Sequence, residues 1–380
     1  MNKFSKEHFS VASNASGRKM HVPIYRFKGK ESGPKVYIQS SIHGAEVQGN
    51  VVIYHLIEYL KTTPIRGEVI LVPNCNPVGT NIKSGEYTLG RFDPVNGENW
   101  NRGYFFKSEV IDEFISSLTG DESLEDIKPT FRKRLKEEIE SELSKTWGVG
   151  LASRLNLQLQ LLALEADIVI DLHNGSVATR HIYVPEYAKE SAQYFNIPHV
   201  IFIPNQFDGA LDESIFCQWW TLAEKLSQKF PQRQWPIPVE AFTLEMGSQE
   251  VIDFDSGQYD ANGILTYLNY KNCLVDNNIK PDNIARYAVF LENYKTLYSQ
   301  DGGIVEYSAT PGQHIKKGDV LAKVLNIDEL ETDKAVSYIY APEDLITILH
   351  FPSASVLCGT QLYKGFINYF KLPSVLDTTD

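Results

Sequence analysis

Residues 35–50, K-V-Y-I-Q-S-S-I-H-G-A-E-V-Q-G-N, constrain this chain more than any other stretch. Val36, Tyr37 and Ile38 read as a buried strand that runs into small residues at Ser40 and Ser41. His43, Gly44 and Glu46 follow, and then a helical run of Val51, Val52, Ile53, Leu56, Ile57 and Leu60. A His and a Glu three apart at this junction sit at the carboxyl end of a strand, where open α/β sheets place their ligands. Imidazole nitrogen and carboxylate oxygen are both zinc donors, and a catalytic zinc site needs a third protein ligand and an open position for water. By itself the pair is a common coincidence, equally read as a loop His beside a surface Glu. A second strand shifts the balance. Residues 166–175, A-D-I-V-I-D-L-H-N-G, again run apolar from Ile168 to Leu172 and end on His173 and a Gly. Two strands that each deliver a His at the carboxyl end can converge on one metal.

The rest of the chain supplies a frame for those strands. Residues 1–34 read as short strands with turns at Ser16-Gly17 and Ser32-Gly33-Pro34. Residues 67–73 are a further buried strand, and this strand, helix, strand alternation argues for an α/β sheet with crossover helices. Residues 87–106 form a long irregular stretch, of the kind usually functional or mobile. Residues 109–146 carry sparse apolar positions among mixed charges and read as a solvated helical excursion, with a lid or dimer contact the lesser reading. A better-packed helix is expected over 151–164, short strands over 180–184 and 199–203, and a helix over 214–230 whose Trp219 and Trp220 read as core. Residues 239–244 form the strand that carries Glu245, and 280–297 read as a closing helix. Near residue 300 the pattern changes to short alternating strands with Gly and Pro turns. The chain is therefore expected to divide into 1–299 and a smaller β domain, 300–380. That segment resembles a barrel-sandwich hybrid, the fold of lipoyl and biotinyl carrier modules. E-T-D-K-A around Lys334 matches a lipoyl-attachment motif, although N-I-D-E-L intervenes between it and the preceding strand.

Length and composition narrow the function classes. At 380 residues, one large domain plus a smaller one is the natural prior. A composition of 43% hydrophobic and 22% charged residues is ordinary for a soluble protein. The formal net charge of -12 argues against a nucleic-acid surface but leaves room for a small anionic substrate held by a local Arg. Cys75, Cys217, Cys273 and Cys358 are scattered with no C-x-x-C, as expected of buried free thiols in a reducing compartment. The N-terminus lacks the apolar core of a signal peptide, and no apolar run is long enough to span a bilayer. A cytoplasmic protein is expected, with no membrane or nucleic-acid partner and with homo-oligomerisation left open.

H-G-A-E at 43–46, N-R at Asn101-Arg102, D-L-H at 171–173 and T-L-E-M-G at 243–247 occur in that order. The series resembles the succinylglutamate desuccinylase and aspartoacylase family, a branch of the zinc carboxypeptidase superfamily. The resemblance implies an α/β fold with a zinc-carboxypeptidase-like mixed central sheet flanked by helices, and a smaller C-terminal all-β domain. It implies one Zn2+ per chain on His43, Glu46 and His173, with water in the fourth position. It also makes Glu245 the general base and acid, and Asn101 with Arg102 the pair for a substrate carboxylate, which a guanidinium fork matches. Arg91 is the candidate for polarising the scissile carbonyl, and Arg180 for a second anionic end of the substrate. His181, eight residues past His173, is the one rival metal ligand among the remaining histidines. The chain departs from the family's D-x-N-R at one place, reading N-W-N-R with Asn99 where an Asp would orient a metal-binding His. The activity implied is hydrolysis of the acyl-amide bond of a small N-acyl amino acid. The rivals are a carboxypeptidase for short peptides or peptidoglycan stems, and a non-catalytic carrier with a lipoyl-like module.

Overall fold

Nine strands from the first three hundred residues and one from near the C-terminus pair into one ten-stranded mixed sheet. The computed structural model of the protein describes residues 2–275 and 279–373, so 374–380 of the expected C-terminal part lie outside the described residues. Across the sheet the strands run Lys3–Ser13, Lys19–Lys28, Arg66–Val72, Glu31–Ser40, Ile168–Gly175, Glu240–Ser248, Arg180–Pro185, His199–Ile203, Tyr287–Phe290 and Phe370–Lys371. Arg66–Val72, Glu31–Ser40, Ile168–Gly175 and Glu240–Ser248 are mutually parallel, which puts their carboxyl ends on one side. Strands buried on both faces read as continuous apolar runs. Val36 and Ile38 accordingly enter one core while Tyr37 enters the other. Helices Gln48–Thr62 and Phe254–Tyr270 cover one face, and Ser108–Ser116, Leu124–Leu143, Leu151–Ala163 and Leu211–Lys229 cover the opposite one. Trp219 is fully buried there and Trp220 packs against the same core.

Three expectations need correction. Leu124–Leu143 is not a solvated excursion: Ile127, Phe131, Leu135 and Ile139 recur every fourth residue and are all buried. A single stripe at that spacing is enough to seat a helix whose other faces are charged. Residues 280–297 are not a closing helix. Tyr287–Phe290 is a strand parallel to His199–Ile203, and Tyr294–Tyr298 is a strand antiparallel to Gln361–Phe366. Each run in this stretch is only four or five residues long, a strand's length and too short for a helix. Ser32-Gly33-Pro34 is no turn but an irregularity inside the strand Glu31–Ser40, where the register against Arg66–Val72 shifts.

Beyond residue 300 the chain forms further all-β sheets around a core of their own, which includes Val305, Leu321, Val324 and Leu362. The main and C-terminal sheets are stitched together. Val177–Ala178 pairs with Leu345–His350, and Phe370–Lys371 returns to the ten-stranded sheet. All four cysteines are free, but Cys358 is exposed rather than buried. Among the described residues no helix is long and apolar enough to cross a membrane.

Candidate metal centre and its cavity

The turn after Glu31–Ser40 is held by backbone contacts that tolerate no side chain. A Cβ on Gly44 would lie 2.2 Å from the Gly79 carbonyl, and one on Gly90 would meet the same oxygen at 2.2 Å. The Gly44 N–H donates to the Gly90 carbonyl at 2.8 Å. Three glycines thus bring the irregular 87–106 stretch down onto the turn that carries His43 and Glu46. The Trp100 N–H then donates to the Arg91 carbonyl at 3.2 Å, with the Trp100 ring fully buried. The loop closes on itself, placing Arg91 and Arg102 at one rim.

His43, Glu46 and His173 are buried, with ligand atoms within 4.8 Å of one another. Nδ1 of His43 lies 2.9 Å from Glu46 Oε1, and Nδ1 of His173 lies 2.7 Å from Glu46 Oε2. Each ring is held from behind at its other nitrogen. Nε2 of His43 donates to Asn99 Oδ1 at 2.8 Å, and Nε2 of His173 lies 3.0 Å from Asp171 Oδ2. Asp171 is itself fixed by Gln39 at 3.0 Å, and Gln39 by the Tyr37 hydroxyl at 2.9 Å. Two imidazoles turned towards one carboxylate, each oriented through its far nitrogen, form a donor set that fits a divalent metal ion. Burial pushes the Glu46 carboxyl up, but His43 and His173 outweigh it and hold the group well below the usual range. Burial likewise pushes His173 down, and Asp171 and Glu46 reverse this to raise it well above its ordinary value. His43, with only the amide of Asn99 behind it, is lowered by burial.

The donors open onto a cavity of about 380 Å3 lined also by Arg91, Arg102, Asp212 and Glu245. Glu245 stands between His173 and His181 on the two neighbouring strands. Burial first, then the charge of Glu46, lifts its carboxyl to about 7, and its Oε2 is buried without a hydrogen-bond partner. An acceptor in that state near neutrality can hold or release a proton. Arg91 reaches Glu46 Oε1 at 3.1 Å with its side chain 56% exposed, free to turn to a ligand. Asn101 is buried, 3.3 Å from His173 Nε2 through its amide nitrogen. Its Oδ1 accepts from the Leu211 N–H at 3.4 Å, which ties it to the start of the helix Leu211–Lys229.

The structure therefore gathers His43, Glu46, His173, Glu245, Arg91, Asn101 and Arg102 around one cavity, and Arg180 stands apart. The Arg180 guanidinium pairs with buried Asp260 at 2.6 Å and lies over the Tyr259 ring. His181 stands outside the donor set, which among the described residues groups only His43, Glu46 and His173. Sequence reasoning missed Tyr183, Asp212, Thr243, Tyr294 and Lys364, which also line the cavity. Thr243 could have been found from the strand period, two residues before Glu245. Asp212 is pushed up to about 7 by burial and then by Glu213. Nothing local marks Lys364, which arrives from the C-terminal strand Gln361–Phe366.

The model of the succinylglutamate desuccinylase/aspartoacylase catalytic domain matches residues 32–271. A family protein of that description from Shewanella frigidimarina NCIMB 400 is 41% identical, with a TM-score of 0.95 over 98% of this chain and 100% of its own. Another, from Shewanella amazonensis SB2B, is 44% identical, with a TM-score of 0.91 over 97% of this chain and 100% of its own. The ectoine utilization protein EutE (DoeB) of Ruegeria pomeroyi shares the fold at 16% identity and a TM-score of 0.65, over 96% of this chain and 95% of its own. No curated protein matches the chain.

Proposed function

The chain belongs to the succinylglutamate desuccinylase/aspartoacylase family, and from that premise we propose that it is a zinc-dependent hydrolase of linear amides. Its substrate would be an N-acyl amino acid or a related small molecule, cleaved at the acyl-amide bond. One observation carries the reading: the buried His43, Glu46 and His173 open, with Glu245, onto a single cavity. Two imidazoles and a carboxylate are a zinc set of hydrolases, and one ion per chain suits three donors. When bound, zinc supplies Lewis acidity and lowers the pKa of a bound water towards ~7.

The chain's own residues do the rest. Asn99 and Asp171 hold the two imidazoles in orientation. Glu245 takes a proton at its free Oε2 from the attacking water and returns it to the leaving nitrogen. Arg91 swings from Glu46 to the scissile carbonyl and stabilises the charge that develops on its oxygen. Arg102 receives the substrate carboxylate in its fork, with Asn101 beside it. Arg180, engaged by Asp260, leaves the substrate set. We take 1–299 as the hydrolase unit, on a zinc-carboxypeptidase-like sheet, and 300–380 as a barrel-sandwich-like unit that lends Lys364 to the cavity wall. A cavity of about 380 Å3 favours a small molecule over a polypeptide, which weighs against the peptidase rival. The carrier reading gives four chemical groups no reason to share one cavity. Free, mostly buried thiols fit a cytoplasmic location.

The test is metal content together with turnover of a panel of N-acyl amino acids. Close to one zinc per chain is expected, lost in His173→Ala and Glu46→Ala. Glu245→Ala should keep the metal and lose turnover. A wild type that takes up no zinc when supplied with it, or a fully active Glu245→Ala, sinks the proposal.

A further inference from the structure

Three buried polar atoms with no hydrogen-bond partner sit side by side in one corner of the fold: Glu245 Oε2, the Tyr294 hydroxyl and His181 Nε2. Glu245 and His181 are opposite each other on adjacent strands, and the His181 and Tyr294 rings are 6.2 Å apart. Glu245 has a use in the reading above, whereas the other two have none. His181 spends its N–H on the Thr179 carbonyl at 3.0 Å and packs behind Tyr183 at 5.7 Å, as support to the wall. Tyr294 is different because it lines the cavity.

Its ring has little freedom. It meets Phe366 edge-on at 5.6 Å and Tyr183 at 6.3 Å, with the Lys364 ammonium 5.2 Å from its centroid. The Tyr183 hydroxyl oxygen draws weakly on the Tyr294 proton, but the two hydroxyls stay outside full hydrogen-bond geometry, so the Tyr294 donor is left for a better acceptor. Burial, then the charges of Tyr183 and Glu245, hold the hydroxyl well above its usual range, so it keeps its proton and acts as a donor. A buried donor without an acceptor destabilises the fold that contains it, and native folds keep such groups for a reason. Here the donor is rigidly held, faces the cavity, and shares its corner with the proposed acid and base. An acceptor that arrives with the ligand satisfies it, most strongly if that acceptor gains negative charge during the reaction.

We propose that Tyr294 is a further catalytic residue, whose hydroxyl donates a hydrogen bond to the oxygen of the substrate's reacting carbonyl and shares with Arg91 the charge that builds there. The assignment rests on the deacylase reading and deepens it. It places one catalytic group on the segment that leads into the C-terminal sheets.

Tyr294→Phe tests this, because it removes one oxygen and leaves the ring packing intact. Three readouts are compared on zinc-loaded protein. The melting temperature should equal or exceed that of wild type, since an unsatisfied donor has gone. The kcat on N-acyl amino acids should fall about a hundredfold with KM changed less than about threefold, as for an interaction made in the transition state. Inorganic phosphate, a tetrahedral oxyanion, should bind about tenfold more weakly. A melting temperature lowered by more than about 3 °C marks the hydroxyl as a structural bond and overturns the proposal. So does a variant whose kcat and phosphate affinity both stay within about twofold of wild type. If wild type hydrolyses none of the panel, the deacylase reading falls by itself. The melting and phosphate comparisons then still decide whether Tyr294 points at a ligand.

Discussion

Single atoms would decide how well this centre holds the proposed metal ion. The Asn99 side-chain oxygen takes the hydrogen bond of His43 Nε2, so the amide fills the orienting position without bringing a charge. Loss of such a support typically weakens metal binding by ~10–100-fold. Asn99→Ala should do so in competition with a chelator, whereas Asn99→Asp should tighten binding by about tenfold, because a carboxylate makes the imidazole more basic. Arg180 gives a contrasting prediction, one of stability. It pairs with Asp260, whose carboxyl is raised to about 6 by burial even with the guanidinium beside it. In Arg180→Ala that carboxylate loses its partner, at a cost of about 2–3 kcal/mol above neutral pH, with turnover unaffected. The sign of the pH dependence follows. The folded-state pKa stands above the unfolded one, so the native state takes up the proton first as pH falls. Neutral Asp260 needs no cation, so urea titrations should show the deficit of Arg180→Ala shrinking as pH drops from about 7 towards 4. A deficit that grows on acidification would contradict this.

Elements were legible where their pattern was strong. Both strands that lead to a histidine of the candidate centre, and the helix after the first of them, fall where apolar runs and small residues put them. Leu124–Leu143 was misjudged because four apolar residues among many charges look sparse until their spacing of four is counted. Truncating Phe131, fully buried at the centre of that stripe, should cost about 3–5 kcal/mol by denaturant unfolding. The 87–106 loop looked irregular in sequence, and its order comes from glycine. Gly90→Ala would drive a methyl group into the Gly79 carbonyl at 2.2 Å, lifting Arg91 from the turn that bears Glu46. Its kcat/KM should drop by at least about tenfold while circular dichroism stays native. An unchanged kcat/KM would show that the contact does not position Arg91.

At the scale of the whole molecule, the C-terminal sheets are part of the working unit. Gln361–Phe366 carries Lys364 to the cavity and pairs with Tyr294–Tyr298. Strands are also exchanged in both directions between the two parts. A chain ending at residue 299 would expose the Tyr294–Tyr298 strand without its partner, an edge that invites aggregation. Such a chain should fail to give a cooperative thermal transition, while a monomeric, cooperatively melting product would show the first part to be self-sufficient. Metal removal should also be felt globally. An ion that binds only the folded state raises stability by mass action, by about 2.7 kcal/mol at a hundredfold excess over its dissociation constant. On the zinc proposal, a chelator should therefore lower the melting temperature of zinc-loaded wild type and leave His173→Ala unchanged.

The sequence by itself determined what depends on neighbours along the chain. It set the two histidine-bearing strands, the three-residue spacing of His43 and Glu46, and the T-L-E-M-G strand of Glu245, since these follow from backbone periodicity and local turn chemistry. The place of Asn99 behind a histidine of the centre came only from the resemblance of N-W-N-R to the family's D-x-N-R, since His43 lies far from it along the chain. Tertiary structure alone decided which distant groups meet. Arg180 lies seven residues from His173, yet Asp260 holds it elsewhere. Lys364 and Tyr294 come from remote strands to the wall of the cavity beside Glu245. The local sequence around Lys364 and Tyr294 carries no mark of that placement, because it is fixed by the packing of two sheet systems against each other.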